Sequence, residues 1–382
     1  MKKSIVFTIF LAILALFSFI ALPGNVFPCT AEAASTSARA MAVVEANTGR
    51  VFMGKNKDSS IPMASTTKIM TALVALENCV DLDALVEINS RAVGIEGTSL
   101  YLRKGEKLSV RELLYGVMLS SGNDASVAVA YAVAGSEERF VEMMNEKVES
   151  LGLKNTRFAN PHGLDADGHY TSAYDLAMIT SAALKNEDFR EISTTKNVTV
   201  SGNEEVAKRH LYTKNKLLKS GFEGCLGVKT GFTDKAGRCF VAAAEREGVV
   251  LVCVVLNCGP MFEESENLLE ACFRRYKSVS ILNSHETIGQ IGVLNGAEKS
   301  VSISLLEGFS YVLSEDEFAS LKVEYDFPDE ISAPVEKEQV VGNVKVYLEN
   351  DLLFETNIYT LETVDSILFR DKLAKVLEHW HP

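Results

Sequence analysis

The chain has no run rich in lysine or arginine, and its 382 residues carry a formal net charge of -13. Both features argue against a nucleic-acid partner, whose phosphates call for a concentrated basic surface. No cysteine pair stands at zinc-ligand spacing with a partner histidine, so no metal site is read from the sequence. Charged residues make up only 23 % against 47 % hydrophobic, a balance that excludes a disordered chain. The length allows two or three domains and a sizeable core.

An export pattern opens the chain. Lys2 and Lys3 precede an apolar run from Ile5 to Leu22, Pro23-Gly24 interrupts it, and Ala31-Glu32-Ala33 has the small-x-small cleavage form. Residues 1–33 are therefore expected to be a signal peptide cut after Ala33. A retained anchor is the alternative, because the run is just long enough to span a bilayer. Cys29 would leave with this segment, and Phe27-Pro28 before it is unlike a lipoprotein signal. Cys79, Cys225, Cys239, Cys253, Cys258 and Cys272 remain. An exported protein could pair them, but Cys239, Cys253 and Cys272 sit in apolar patterns and read as small buried hydrophobes.

The chemistry begins at Ser65-Thr66-Thr67-Lys68, which opens the apolar run Ile69 to Leu76. At that spacing both side chains lie on one helix face, about one turn apart. A serine hydroxyl needs a base, and a lysine desolvated beside other cations can be neutral and serve as one. Standing alone, the pair would be an ordinary helix start followed by a solvated lysine. It is followed by Ser121-Gly122-Asn123 and then Lys229-Thr230-Gly231. S-x-x-K, S-x-N and K-T-G in that order are expected of serine acyl-transfer enzymes of the penicillin-binding and class A β-lactamase type.

Local patterns place these motifs. Ser109 and Glu112 form a capping box, and the helix they open ends near Gly122, the expected turn residue. Asn123-Asp124 can cap the next helix, Ala125 to Val133. Lys229-Thr230-Gly231 lies on a strand, followed by strands at 239–244 and 249–256, and Gly231 permits a close backbone approach. A hairpin is expected at 40–55, mostly helices from Ser65 to about Lys185, and a closing helix from Phe262 to Tyr276. Composition changes near Ser280, and short alternating segments to about Thr360 read as a small separate β-domain with a spacer role. Phe369, Leu373, Val376, Leu377 and Trp380 then line one helical face beside Arg370, Lys372 and Lys375. This fits a helix lying in a membrane interface; the other reading packs it on its own β-domain.

Longer blocks resemble one family, the penicillin-binding D-alanyl-D-alanine carboxypeptidases of low molecular mass (peptidase family S11). They are Pro62 to Ala72, Leu119 to Ala125, Asn160 to Asp165 with His169 to Ser172, and Gly227 to Gly237. The resemblance implies an α+β domain of the serine β-lactamase/transpeptidase type at 36–280, with an antiparallel sheet flanked by helices. A small β-sandwich-like domain at 281–361 and an amphipathic helix at 362–382 follow in that architecture. Ser65 would attack the penultimate D-alanine of a peptidoglycan pentapeptide, with Lys68 as base and Ser121 as proton relay. Asn123, Lys229, Thr230, Gly231 and Phe232 would bind substrate, the backbone N–H groups of Ser65 and Phe232 forming the oxyanion hole. Lys214 would be a second cation for the carboxylate. No metal or organic cofactor is implied, and β-lactams would be inhibitors. The site would work outside the cytoplasmic membrane, in the cell wall space.

Two positions depart from the pattern. Thr213-Lys214-Asn215 stands where relatives often carry Asn-x-Asn, and Phe232 follows the Lys-Thr-Gly glycine where some carry histidine. His162 and His169 would be the candidates for a histidine triad, but the resemblance makes them structural. A class A β-lactamase needs an E-x-x-L-N motif for deacylation. Arg157-Phe158-Ala159-Asn160-Pro161 occupies that region instead. A non-catalytic cell-wall binding protein would not need all of Ser65, Lys68, Ser121, Asn123, Lys229 and Thr230.

Overall fold

The computed structural model describes residues 36–201 and 208–367. These fall into two compact units, the chain passing from the first to the second at Arg274–Arg275.

The first unit is built on a five-stranded antiparallel sheet. Its strands are β1 (Ala40–Glu45), β2 (Val51–Lys55), β3 (Cys225–Thr233), β4 (Gly237–Arg246) and β5 (Val249–Leu256), in the spatial order β2-β1-β5-β4-β3. Every residue of β5 is buried, as its apolar sequence and central position require. The faces alternate with period two. Cys239, Val241 and Ala243 of β4, with Val250, Val252 and Val254 of β5, join a core shared with the helices. On the opposite face Phe240 meets Phe262 of the helix Met261–Arg275, ring centroids 4.9 Å apart. Cys239, Cys253 and Cys272 are fully buried, as their apolar settings predict. Burial pushes the Cys239 thiol up to about 11.

The helical part includes α1 (Lys68–Asn78), α2 (Val110–Tyr115), α3 (Asn123–Ala134), α4 (Glu137–Ser150) and α5 (Ala173–Ala183). Helix α5 packs on β1 and β5, and α1 packs against α3, α4 and α5. Residues 68–76 of α1 are all buried, so this is an interior helix rather than an amphipathic surface one. Each large apolar side chain such as Leu73 contributes about 2 kcal/mol by burial. The capping box at Ser109 and Glu112 is present. A hairpin of Asn197–Val200 with Arg209–Tyr212 escapes the sequence reading because each strand is only four residues long.

In the second unit a six-stranded sheet runs in the order Leu321–Asp326, Val340–Leu348, Asp351–Thr360, Ser300–Leu305, Thr287–Leu294, Glu330–Ser332. Lys277–Leu282 pairs with Phe309–Leu313 in a second, two-stranded sheet. Ile291, Ile303, Val344, Val346 and Ile358 centre the core. Glu330–Ser332 has no sequence signature; parallel pairing with Thr287–Leu294 makes it a strand. The expected helix at 362–382 needs a correction at its start. Residues 362–367 are not helical: Val364 is buried and bridges Val335, and Ser366 bridges Gly296. Core filling by Val364 and backbone pairing override helix propensity there. Residues 368–382, with the apolar stripe, and the expected signal peptide at 1–33 lie outside the described residues. Among the described residues no helix is long and apolar enough to cross a membrane.

Candidate active site

Ser65 lies in the 3-10 turn Ala64–Thr67, which runs directly into α1. Ala64 has φ +48°, the left-handed region that costs an alanine about 1–2 kcal/mol. Hydroxyls secure the turn: Thr66 Oγ1 donates to the Met63 carbonyl at 2.6 Å and Thr67 Oγ1 to the Ala64 carbonyl at 2.8 Å. Two glycines give it room. A Cβ on Gly163 would sit 2.1 Å from the Ala64 carbonyl oxygen, and one on Gly231 3.0 Å from the Ser65 nitrogen. Ser65 itself is half-buried.

Lys68 is fully buried, one helical turn further on. Its Nζ lies 3.1 Å from Ser65 Oγ and 2.7 Å from Asn123 Oδ1, and it also donates to the main-chain carbonyl of His162. The interior position of α1 removes water from this amine. Burial holds Lys68 well below the usual lysine range, Lys229 and Lys214 push it further down, and Asp124 opposes them. Lys229 is also buried, and it is lowered to about 7 by burial and by Lys214. Both amines are buried and repel each other, so the pair is held below the usual lysine range.

Ser121 and Asn123 come from the α2–α3 connection. A π-helical turn, Gly116–Ser120, ends at Ser121, which takes the left-handed conformation with φ 64° and ψ 34°. Gly122 was the expected turn residue, but its φ is -61° and it serves as the N-cap of α3. Packing is what Gly122 answers to: a Cβ there would lie 3.0 Å from both Leu100 Cγ and Asp124 Oδ1. Asn123 donates through Nδ2 to the Glu96 carbonyl, which aims Oδ1 at Lys68. The buried Asp124 carboxylate accepts from Ser99 Oγ at 2.6 Å and from the backbone of Leu100 at 2.9 Å and Leu102 at 3.1 Å. One dipeptide thus orients the amine and pins the loop beside it.

The third motif lies on β3, an edge strand. Lys229 Nζ donates to the Thr230 carbonyl at 3.1 Å. Thr230 is half-buried, Gly231 backs onto the nucleophile turn, and Phe232 is exposed at 62 %. Thr233 Oγ1 donates to Asp165 Oδ1 at 3.1 Å, tying the strand to the loop that carries Gly163. Lys214 is exposed, just before Asn215, which caps the helix Lys216–Ser220 by accepting from Leu217 N and Leu218 N. Although the residue as a whole is exposed, partial desolvation of its amine lowers Lys214 as well.

The structure therefore places Lys68 in direct contact with both Ser65 and Asn123 and lays Gly231 against the nucleophile turn. Lys229 and Lys214 act on Lys68 through their charge. Sequence reasoning missed the His162 carbonyl and Gly163, because backbone contacts leave no side-chain signature. His162 and His169 are mainly buried, and burial lowers them to about 3 and about 4, so both rings are neutral. No group of metal-ligating side chains occurs among the described residues.

Comparison with known proteins gives the family and the fold. The family model of D-alanyl-D-alanine carboxypeptidase matches residues 28–259, and that of the penicillin-binding protein 5 C-terminal domain matches residues 276–366. The chain is 32 % identical over 351 residues to D-alanyl-D-alanine carboxypeptidase DacF of Bacillus subtilis, covering 90 % of each. It is 33 % identical to DacC of Escherichia coli, covering 88 % of this chain and 86 % of that one. The crystal structure of penicillin binding protein 5 from Haemophilus influenzae superposes with a TM-score of 0.68 at 28 % identity, covering 90 % of this chain and all of that one. By sequence along most of its length, and by the fold that carries its three motifs, the chain belongs to the D-alanyl-D-alanine carboxypeptidases of peptidase family S11.

Proposed function

We propose that the chain removes the terminal D-alanine from peptidoglycan stem pentapeptides through an acyl-enzyme on Ser65, and so limits cross-linking of the wall. The observation that carries this reading is the environment of Lys68 Nζ. A neutral amine has two N–H groups and one lone pair. Two of its three neighbours, Asn123 Oδ1 and the His162 carbonyl, can only accept. The third, Ser65 Oγ, has a proton to give. The lone pair is thus directed at the nucleophile.

Ser65 Oγ attacks the carbonyl of the penultimate D-alanine as Lys68 takes its proton. The Ser65 and Phe232 N–H groups receive the oxyanion, each such donor supplying about 3–4 kcal/mol. Ser121 passes a proton to the leaving D-alanine, and Lys229 holds that network. Thr230 and Lys214 meet the terminal carboxylate, and Asn123 contacts the substrate amide. Edge strand β3 offers main-chain groups to an extended peptide, with Gly231 allowing close approach. Water then releases the shortened peptide.

Purified protein is expected to release D-alanine from a peptide ending in D-Ala-D-Ala. Penicillin should add its mass to the peptide containing Ser65 and leave slowly, since no E-x-x-L-N glutamate stands ready. Rapid penicillin turnover without a lasting adduct would make it a β-lactamase. Neither D-alanine release nor an adduct would leave the binding-protein reading.

We also propose that residues 1–33 direct export, that 36–280 is the catalytic domain, and that 281–361 is a spacer to a membrane-associating helix within 362–382. The apolar stripe and basic flank of the C-terminal residues support this. Truncation after residue 367 should shift the mature protein from membrane to soluble fractions. Unchanged partitioning would rule the segment out as the anchor.

A further inference from the structure

His169 makes two hydrogen bonds that together point to the nucleophile turn. Its Nδ1 accepts from the Ala159 N–H at 3.0 Å, so that nitrogen bears no proton. The single ring proton of the neutral imidazole is then on Nε2, which lies 2.8 Å from Thr67 Oγ1. With that donor in place, the threonine hydroxyl directs its own proton at the Ala64 carbonyl, 2.8 Å away. Thr67 is completely buried and His169 nearly so, leaving no water to substitute for either.

The Ala64 carbonyl and the Ser65 N–H belong to one planar trans peptide and point in opposite directions. Whatever fixes the carbonyl fixes the N–H. This peptide follows a non-glycine residue at φ +48°, a conformation that persists only where surroundings impose it. Gly163 and Gly231 make room for the peptide but do not turn it. The hydroxyl of Thr67 supplies a directed bond from within the turn, and His169 orients that hydroxyl.

We propose that His169 is a positioning residue for the oxyanion hole, acting through Thr67 to aim the Ser65 N–H into the cleft. The inference rests on the acyl-enzyme reading above, in which that N–H is an oxyanion donor. His169 touches no reacting atom in this role. Its neutrality matters because a second ring proton would set Nδ1–H against the Ala159 N–H, and the low affinity for that proton keeps the tautomer constant across the working range.

Two pairs of variants test this. His169→Asn keeps an acceptor for Ala159 N but is too short to reach Thr67, whereas His169→Gln keeps an N–H donor at the reach of Nε2. Thr67→Val removes the hydroxyl at constant shape, whereas Thr67→Ser retains it. H169N and T67V are expected to lower kcat for D-alanine release about 10- to 100-fold, with KM within about threefold, because a misdirected donor forfeits part of what a deleted one would. H169Q and T67S should stay within about threefold of wild-type kcat. In the penicilloyl enzyme the ester carbonyl stretch should move to higher frequency in H169N and T67V, reporting weaker donation. Either pair decides the matter if the other does not fold. Equal kcat and equal carbonyl frequency within a folded pair would overturn the proposal while leaving the acyl-enzyme reading intact. Absence of D-alanine release by the wild type would strike that reading first.

Discussion

Ser65→Ala, Lys68→Met and the double variant are expected to fall to the same floor, at least about 10³-fold below wild type in D-alanine release. The reason is that the two side chains form one unit. Lys68 Nζ stands 3.1 Å from Ser65 Oγ, and its other two neighbours accept hydrogen bonds without offering a proton. Without the amine the hydroxyl has no base; without the hydroxyl the amine has nothing to deprotonate. Methionine suits the test because position 68 is fully buried in an apolar helix and takes an unbranched apolar chain of similar length. D-alanine release from a peptide ending in D-Ala-D-Ala, with circular dichroism as the folding control, measures each rate. A double variant as slow as the product of the two single losses would show that Lys68 acts independently of Ser65.

Gly163→Ala is expected to cost about 4 kcal/mol or more of stability, with D-alanine release down at least about 100-fold. Gly163 has φ +92°, and the new Cβ would meet Ala64 O at 2.1 Å, Ala64 C at 2.5 Å and Ser65 N at 2.9 Å. All three are backbone atoms of the nucleophile turn, so no side chain can swing aside. Nor can the loop retreat freely. Asn160 Oδ1 accepts from Gly163 N at 2.7 Å, Asn160 Nδ2 donates to Leu164 O at 2.9 Å, and Thr71 Oγ1 of α1 holds the Pro161 carbonyl at 2.6 Å. A displaced loop would also withdraw the His162 carbonyl from Lys68. Gly152→Ala is the control: φ is +69° there too, but nothing lies within 4 Å of the added carbon. That variant should lose only about 1–2 kcal/mol and keep its activity. Matching melting temperatures and rates for the two variants would refute the argument.

Much of this was legible in the sequence, for reasons that lie in particular residues. The capping box needs only Ser109 and Glu112 three positions apart, and it forms as expected. The apolar run at 249–256 could only be a buried central strand or helix, and its length and valines decide for a strand. Ser65 and Lys68 announce a shared helical face by spacing alone. The cysteines in apolar settings are buried.

Other features had no local cause to read. Gly122 looked like the left-handed residue, yet Ser121 takes that conformation, because packing against Leu100 rather than backbone freedom selects glycine at 122. Residues 362–367 looked continuous with a helix, yet they pair with 335 and 296, far away in the chain.

By itself the sequence determined the order of the three motifs, the elements that carry them and the chemical groups available, since these depend on residue type and short-range periodicity. Only the tertiary structure decided that Lys68 and Lys229 are both buried and held below the usual lysine range, that the His162 carbonyl meets Lys68 and Gly163 packs on the nucleophile turn, and that His169 reaches that turn through Thr67. Those outcomes depend on burial and on distances between residues up to 161 positions apart, as for Lys68 and Lys229. Desolvation and main-chain contacts arise only once the chain has folded.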